Sequence, residues 1–143
     1  MIIPDANLLL YAYDSESPFH REAALWWSDL LSAPEPVGLC PVVVFAFLRL
    51  ATNTKVFDRP MSVTEANDAI ASWLARPNVR LLVAGPTHLE AVCKLLLKAG
   101  TAGNLVTDAQ IAALAQEYGA TVHSADTDFA RFKGLTWENP LLT

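Results

Sequence analysis

The chain has 143 residues, 52% of them hydrophobic and 17% charged: apolar material for one domain core, and no composition of a disordered segment. The formal net charge of −5 argues against a broad phosphate-binding surface and strong non-specific DNA binding, although an acidic pocket that holds a cation lowers the count by itself. Mean hydropathy is high at +0.28, but no apolar run reaches the roughly 18 residues of a membrane span, so no membrane-spanning helix is expected.

In chain order, Met1 to Pro4 reads as a short strand, Asp5 as a junction, and Asn7 to Tyr13 as a helix. Asp14 to Pro18 is a turn. A second helix runs from Phe19 to Ser32, with Ala24, Trp27, Leu30 and Leu31 on one face, and Ala33-Pro-Glu-Pro36 ends it. Val37 to Cys40 is a second strand. Pro41, welcome in a first helical turn, opens an apolar helix over Val42 to Thr52. After a loop from Asn53 to Pro60, Ser62-Val-Thr-Glu65 is a capping box for a helix that reaches Ala75. Asn78 to Val83 is a strand. A helix follows from Pro86 to Gly100, and Thr101 to Asn104 is a glycine-containing loop. Thr107 or Asp108 caps the next helix, which Gly119 closes after Tyr118. Ala120 to Ser124 is a strand, Asp126 to Phe132 a short last helix, and Leu135 to Trp137 an edge strand. Such alternation predicts an α/β fold, a parallel sheet covered by helices.

Four aspartates stand just beyond apolar runs: Asp5, Asp108, Asp126 and Asp128. A carboxylate at the exit of a strand, or in the first turn of the following helix, lies on the rim where such sheets bind ligands. Asp5 and Asp108 also read as ordinary helix caps. Two aspartates separated by one residue directly after a strand, Asp126-Thr-Asp128, cannot both be caps, although a polar turn with exposed aspartates remains open. Four converging carboxylates would repel one another unless a cation sat between them, and oxygen ligands without grouped His or Cys point to Mg²⁺ or Mn²⁺. Ala112 and Ala115 share the helix face of Asp108, while Glu117 falls on the opposite, solvated face.

The histidines His20, His88 and His123 are scattered, and His123 falls inside a strand as a core or rim residue. Cys40 and Cys93 have no CxxC spacing and read as buried reduced thiols. With no basic region or cleavage pattern at the N-terminus, the expected location is the cytoplasm. The surplus of large apolar groups, Trp26, Trp27, Val42, Val43, Phe45, Phe47 and Trp73, raises a homodimer as an alternative to a well-filled core.

Taken together, Asp5-Ala-Asn7, then Phe47-Leu-Arg49-Leu-Ala-Thr-Asn53, then Val106-Thr-Asp108-Ala-Gln-Ile-Ala-Ala-Leu-Ala115, then Ser124-Ala-Asp126-Thr-Asp128-Phe129 resemble PIN-domain ribonucleases. The likeness is strongest to the VapC toxins of bacterial type II toxin–antitoxin pairs. It extends through Trp137-Glu-Asn-Pro140, so residues 1–143 are expected to form one PIN domain, a three-layer sandwich with a short, mostly parallel central sheet covered by helices. One departure stands out: Ala46 occupies the position where the family usually carries a glutamate, three residues before the arginine of the third helix.

The resemblance implies a Mg²⁺- or Mn²⁺-dependent endoribonuclease. Asp5, Asp108, Asp126 and Asp128 would be catalytic, with the metal on Asp5, Asp108 and Asp126. Asn7 and Ser124 would orient ligands or water behind them. The substrate would be RNA, single-stranded or in a loop, and the partner a cognate VapB-type antitoxin. Two other readings compete. A haloacid-dehalogenase-type phosphatase would use Asp5 as nucleophile, but it wants Asp rather than Asn at residue 7. A PIN-fold binding module with weakened catalysis would account for Ala46.

Overall fold

The computed structural model describes residues 1–142, so the end of the expected 1–143 domain, Thr143, lies outside the described residues. Five three-residue or shorter strands alternate with helices: β1 (Ile2–Pro4), α1 (Ala6–Tyr13), α2 (His20–Ser32), β2 (Val37–Leu39), α3 (Pro41–Ala51), α4 (Val63–Leu74), β3 (Val79–Leu81), α5 (His88–Ala99), α6 (Leu105–Tyr118), β4 (Thr121–His123), a 3₁₀ helix (Thr127–Arg131) and β5 (Trp137–Glu138). The strand order is β3-β2-β1-β4-β5 and every pairing is parallel, so the sheet is fully rather than mostly parallel.

That order locates the site. The chain builds outward from β1 to β2 and β3, then returns to β4 on the other side of β1. With right-handed connections, the direction change puts α1 to α4 on one face and α5 and α6 on the other. Most contacts agree, with α1 packed on α2 and α3, α3 on α4 and α5 on α6, while α3 also meets α6. Adjacent strands β1 and β4 then lead their connections to opposite faces, and a crevice opens at their C-terminal ends. Ile2, Ile3 and Pro4 pair with Thr121, Val122 and His123, so the residues just after each strand, Asp5 and Ser124, come out side by side.

The core is the sheet filled by Ile3, Val37, Leu39 and Val122, all at 0% exposure, and capped on the first face by an aromatic cluster. Trp73 is its centre. It meets Phe47 at 4.9 Å and Trp27 at 5.5 Å between ring centroids, both edge-on, and its Nε1–H donates to the Tyr13 hydroxyl at 2.7 Å. The large apolar groups that raise a homodimer therefore divide. Trp27, Val43, Phe47 and Trp73 are core, Trp26 and Val42 are half-buried, and Phe45 alone stands largely in solvent at 67% exposure.

Several local expectations are corrected. Helix α6 starts at Leu105 with Asn104 before it, so neither Thr107 nor Asp108 is its cap. Leu105 is buried and docks the helix start, which carries Asp108 inside the helix on the face of Ala112 and Ala115, both fully buried. Gly100 and Gly103, at φ of 78° and 53°, take the left-handed backbone that makes the tight return from α5 possible. Cys40 is buried, but Cys93 is exposed, because Val92 and Leu95 are the residues α5 turns inward. On α2 the deepest positions are Ala23 and Trp27 rather than Ala24. The expected capping box is present: Glu65 N–H donates to Ser62 Oγ and Ser62 N–H to Glu65 Oε1, each at 3.0 Å. No helix among the described residues is long and apolar enough to cross a membrane.

Because Trp73 touches three other aromatic rings and has no exposed surface, Trp73→Ala should destabilise the protein by about 3–5 kcal/mol. Urea unfolding followed by far-UV circular dichroism measures this, and a loss below about 1 kcal/mol would mean that the cluster is not the packing centre.

Candidate active site

Asp5 follows β1 and is the N-cap of α1, with extended backbone at φ −87° and ψ 157°. Its Oδ1 accepts the Ala6 N–H at 2.7 Å and its Oδ2 accepts the Ser124 hydroxyl at 2.7 Å. The capping role and the site role therefore coexist, one on each carboxylate oxygen. Only 8% of Asp5 is exposed.

Ser124 follows β4 and is fully buried. Its hydroxyl donates to Asp5 and accepts from Asn7 Nδ2 at 3.2 Å and from the Asp126 N–H at 2.9 Å. One hydroxyl offers one donor and two acceptor positions, so Ser124 is saturated. Asn7 returns to the same loop, its Oδ1 accepting from the Ala125 N–H at 3.4 Å. The expected supporting pair, Asn7 and Ser124, thus lies in one hydrogen-bonded network behind Asp5.

Asp126 caps the 3₁₀ helix by accepting the Asp128 N–H at 2.9 Å. Phe129, 1% exposed, anchors that turn in the core. Asp108 comes from α6, across the crevice. Asp108, Asp126 and Asp128 each present one carboxylate oxygen within 4.8 Å of the others. Asp5 is not in that group; it stands behind it on the buried side. The structure therefore gathers three of the four expected carboxylates tightly, and the fourth, Asp5, acts on Asp108 through its charge.

The electrostatics agree with crowding. The Asp108 carboxyl is pushed up to about 7, first by burial and then by the negative charges of Asp5, Asp126 and Asp128. The Asp5 carboxyl is also raised, by burial above all, against the lowering effect of its bonds to Ser124 and Ala6. Cys40, at the start of α3, has its thiol pushed up to about 12 by burial and the Asp5 charge, so it is an inert packing group.

The donor set fits a hard divalent cation. Opposite ligands of an octahedral Mg²⁺ stand roughly 4.2 Å apart, so three oxygens already within 4.8 Å need only small side-chain adjustments to share one ion. Three carboxylates without His or Cys match Mg²⁺ or Mn²⁺ rather than Zn²⁺.

The support behind β4 was not legible from the sequence. His123 Nδ1 accepts from Trp26 Nε1 at 3.0 Å, which leaves the proton on Nε2 to donate to Glu138 at 2.9 Å. Burial holds its pKa down, so His123 is a neutral rim residue, as expected from its strand position. Trp137 Nε1 donates to the Ser124 carbonyl at 3.1 Å. These partners lie 97, 15 and 13 residues apart in sequence, and no local pattern announces them. Glu117, expected to be solvated, is exposed but also accepts the Gly85 N–H at 3.0 Å. Ala46 is half-buried and packs against the core.

Comparison with known proteins gives a single picture. The PIN-domain family pattern matches residues 2–135. Ribonuclease VapC33 of Mycobacterium tuberculosis is 49% identical over 141 residues, covering 99% of each chain. Among solved structures, VapBC2 from Rickettsia felis, bound to a DNA fragment from their promoter, superposes with a TM-score of 0.69 at 17% identity, covering 97% of this chain and 98% of that one. VapC20 of Mycobacterium tuberculosis, described as a sarcin-ricin loop cleaving toxin, gives 0.69 at 19% identity over 91% and 93%. At those identities the two structures support the fold alone.

The raised carboxyls make the metal-free protein pH-sensitive. Asp108 binds its proton more tightly folded, near 7, than unfolded, near 3.8. Its contribution to stability is present in full below about pH 3.8 and is lost as pH rises to about 7, because the unfolded state gives up its proton first. Thermal melts in EDTA should show Asp108→Asn gaining on the unsubstituted protein across that window, and Mg²⁺ should narrow the gap at pH 7. A difference that does not change with pH would refute the crowding.

Proposed function

This chain belongs to the PIN-domain family as a VapC-type ribonuclease, the toxin of a toxin–antitoxin pair, and from that premise we propose how its carboxylates divide the work. Asp108, Asp126 and Asp128 hold a Mg²⁺ or Mn²⁺ ion, and Asp5 adds its charge from the buried side. The observation that carries this reading is the convergence of three carboxylate oxygens within 4.8 Å at the β1/β4 crevice, beside a buried fourth. A bound cation supplies an activated water and neutralises charge that builds on the phosphate.

The chain's own residues supply the rest. Ser124 fixes the Asp5 carboxylate, and Asn7 fixes Ser124, so the deepest charge has one orientation before any ligand arrives. Asp128 is exposed, which leaves an approach for an RNA strand from solvent. Scissile bonds in single-stranded or looped RNA reach such a rim most easily, since their bases can splay outward. A longer Asp5→Glu side chain should not reproduce this geometry, because the Asp5 carboxylate is held on both oxygens.

The partner is a VapB-type antitoxin, a reading supported by structural neighbours solved as toxin–antitoxin complexes. An acidic crevice on a chain of net charge −5 favours a partner that brings a basic side chain to it. Both act in the cytoplasm. The toxin pairs with itself through the side that leaves Phe45 in solvent. Ala46 leaves that stretch of α3 without a carboxylate, so the ligand set stands without a contribution from it.

RNA cleavage should require Mg²⁺ or Mn²⁺ and stop in EDTA. Asp108→Asn should fold and lose cleavage, and Ser124→Ala should weaken metal binding or activity by about 10–100-fold. Cleavage at full rate in chelator, or by a folded Asp108→Asn protein, would overturn the assignment. For self-association, light scattering should give twice the chain mass of 15.6 kDa; a single-chain mass at tens of micromolar, roughly the concentration of a purified sample, removes the homodimer and leaves the nuclease reading intact.

A further inference from the structure

The chain carries only ten Lys and Arg residues, and four of them, Lys94, Lys98, Arg131 and Lys133, fall on two short segments. Lys98, Arg131 and Lys133 line one open cleft of about 330 Å³ together with Leu95 and Phe132. Lys94 lies one turn before Lys98 on the same face of α5. All four are exposed. Among the described residues the N-terminus pairs with Glu35 and neutral His123 hydrogen-bonds Glu138, so none of the four cations is spent on a structural pair.

The cleft is lined by α5, which precedes the Asp108 helix, and by the end of the 3₁₀ segment that carries Asp128. Lys98 is in the last turn of α5, and the short return through Gly100 and Gly103 leads directly into α6, whose fourth residue is Asp108. On the other wall, Asp128 and Arg131 are three residues apart on one 3₁₀ helix, where side chains at that spacing eclipse and stand roughly 6 Å apart along the axis. Phe132 is 3% exposed and pins the segment. Its neighbours Arg131 and Lys133 are therefore held outward, and the left-handed Gly134, at φ 83°, turns the chain away after them.

Resting on the nuclease reading above, we infer that this cleft is a docking site for the RNA backbone beyond the scissile bond, in which Lys98, Arg131 and Lys133 bind phosphates that flank the one at the metal. The charge balance requires some such feature. A chain of net charge −5 with a carboxylate cluster at its centre repels RNA, and a local cationic track is what lets a strand approach it. The apolar lining residues, Leu95 and Phe132, are buried and offer no stacking platform, so the cleft reads phosphates and not bases. It sets affinity and register without selecting sequence. Lys98 also complements the α5 C-terminus, which would leave stability but not RNA affinity dependent on it if that were its whole role.

The test uses a fluorescein-labelled, mixed-sequence single-stranded RNA and the Asp108→Asn protein, which holds the strand without cutting it. Lys98→Gln/Arg131→Gln/Lys133→Gln should weaken binding at low salt by about tenfold or more and flatten the plot of log affinity against log salt by about 2, at about 0.7 per phosphate contact. Lys98→Arg/Lys133→Arg should bind as the parent does. In the metal-loaded enzyme with Asp108 restored, the triple variant should raise KM with kcat retained. If the triple variant does not fold, Arg131→Gln alone should lower the salt slope by about 0.7. A folded variant with unchanged affinity and slope overturns the proposal, as does a variant that loses binding to the antitoxin protein but not to RNA. Failure of the nuclease reading is separate: it shows as no cleavage by the unsubstituted protein with Mg²⁺, whatever the binding measurements give.

Discussion

The bond from the Ser124 hydroxyl to Asp5 ties together everything the crevice contains. Parallel pairing of β1 with β4 delivers the two residues to the same point, but pairing alone would leave a buried carboxylate facing a buried hydroxyl in no fixed orientation. Ser124 resolves this with one donor and two acceptor positions, all used: Asp5 on one side, Asn7 and the Asp126 amide on the other. Removing one partner of such a saturated group leaves another polar atom unsatisfied in the interior, which costs more than the bond itself contributes. A single hydroxymethyl side chain thus links the first strand, the first helix and the loop that presents two further aspartates.

The same crevice works against the fold. Burial and mutual repulsion hold Asp5 and Asp108 towards their protonated forms, while the proposed cation site needs them charged. A site of this kind is unfavourable in the metal-free state and becomes favourable when a cation arrives, so its instability is the reservoir from which cation affinity is drawn. The surroundings are arranged to bear it. Asp5 faces a saturated hydrogen-bond network, Phe129 fixes the Asp126-Thr-Asp128 turn in the core, and fully buried Ala112 and Ala115 let α6 approach the sheet closely.

How much of this was legible depended on whether the cause was local. The alternation of strands and helices, the Ser62–Glu65 capping box and the aspartates after β1 and β4 each announce themselves within a few residues, and all are present. The start of α6 was misplaced because Leu-Val-Thr ahead of Asp108 reads equally well as a run before a cap; only the docking of Leu105 in the core decides it. The large aromatic residues divided between core and surface in a way that composition could not reveal, since Phe45 and Phe47 differ by two positions on one helix yet stand at 67% and 0% exposure. The grouping of Asp108 with Asp126 and Asp128, with Asp5 behind them, is a matter of tenths of a nanometre set by how α6 leans on the sheet, and no spacing rule encodes it.

An acidic protein that acts on a polyanion has to separate two electrostatic tasks. Near the scissile bond the negative cluster serves by concentrating a cation. Away from it the same charge would hold the substrate off, at distances up to the Debye length of about 8 Å at physiological salt. A bound divalent ion offsets part of the carboxylates' charge and so eases the approach of the strand, and the few cations of the chain need not be spread over its surface. Concentrating Lys98 ahead of the Asp108 helix and Arg131 and Lys133 just after Asp128 places attraction beside the acidic cluster. On this arrangement metal binding and substrate approach are coupled through charge alone, with no moving part, and a net charge of −5 is compatible with work on RNA.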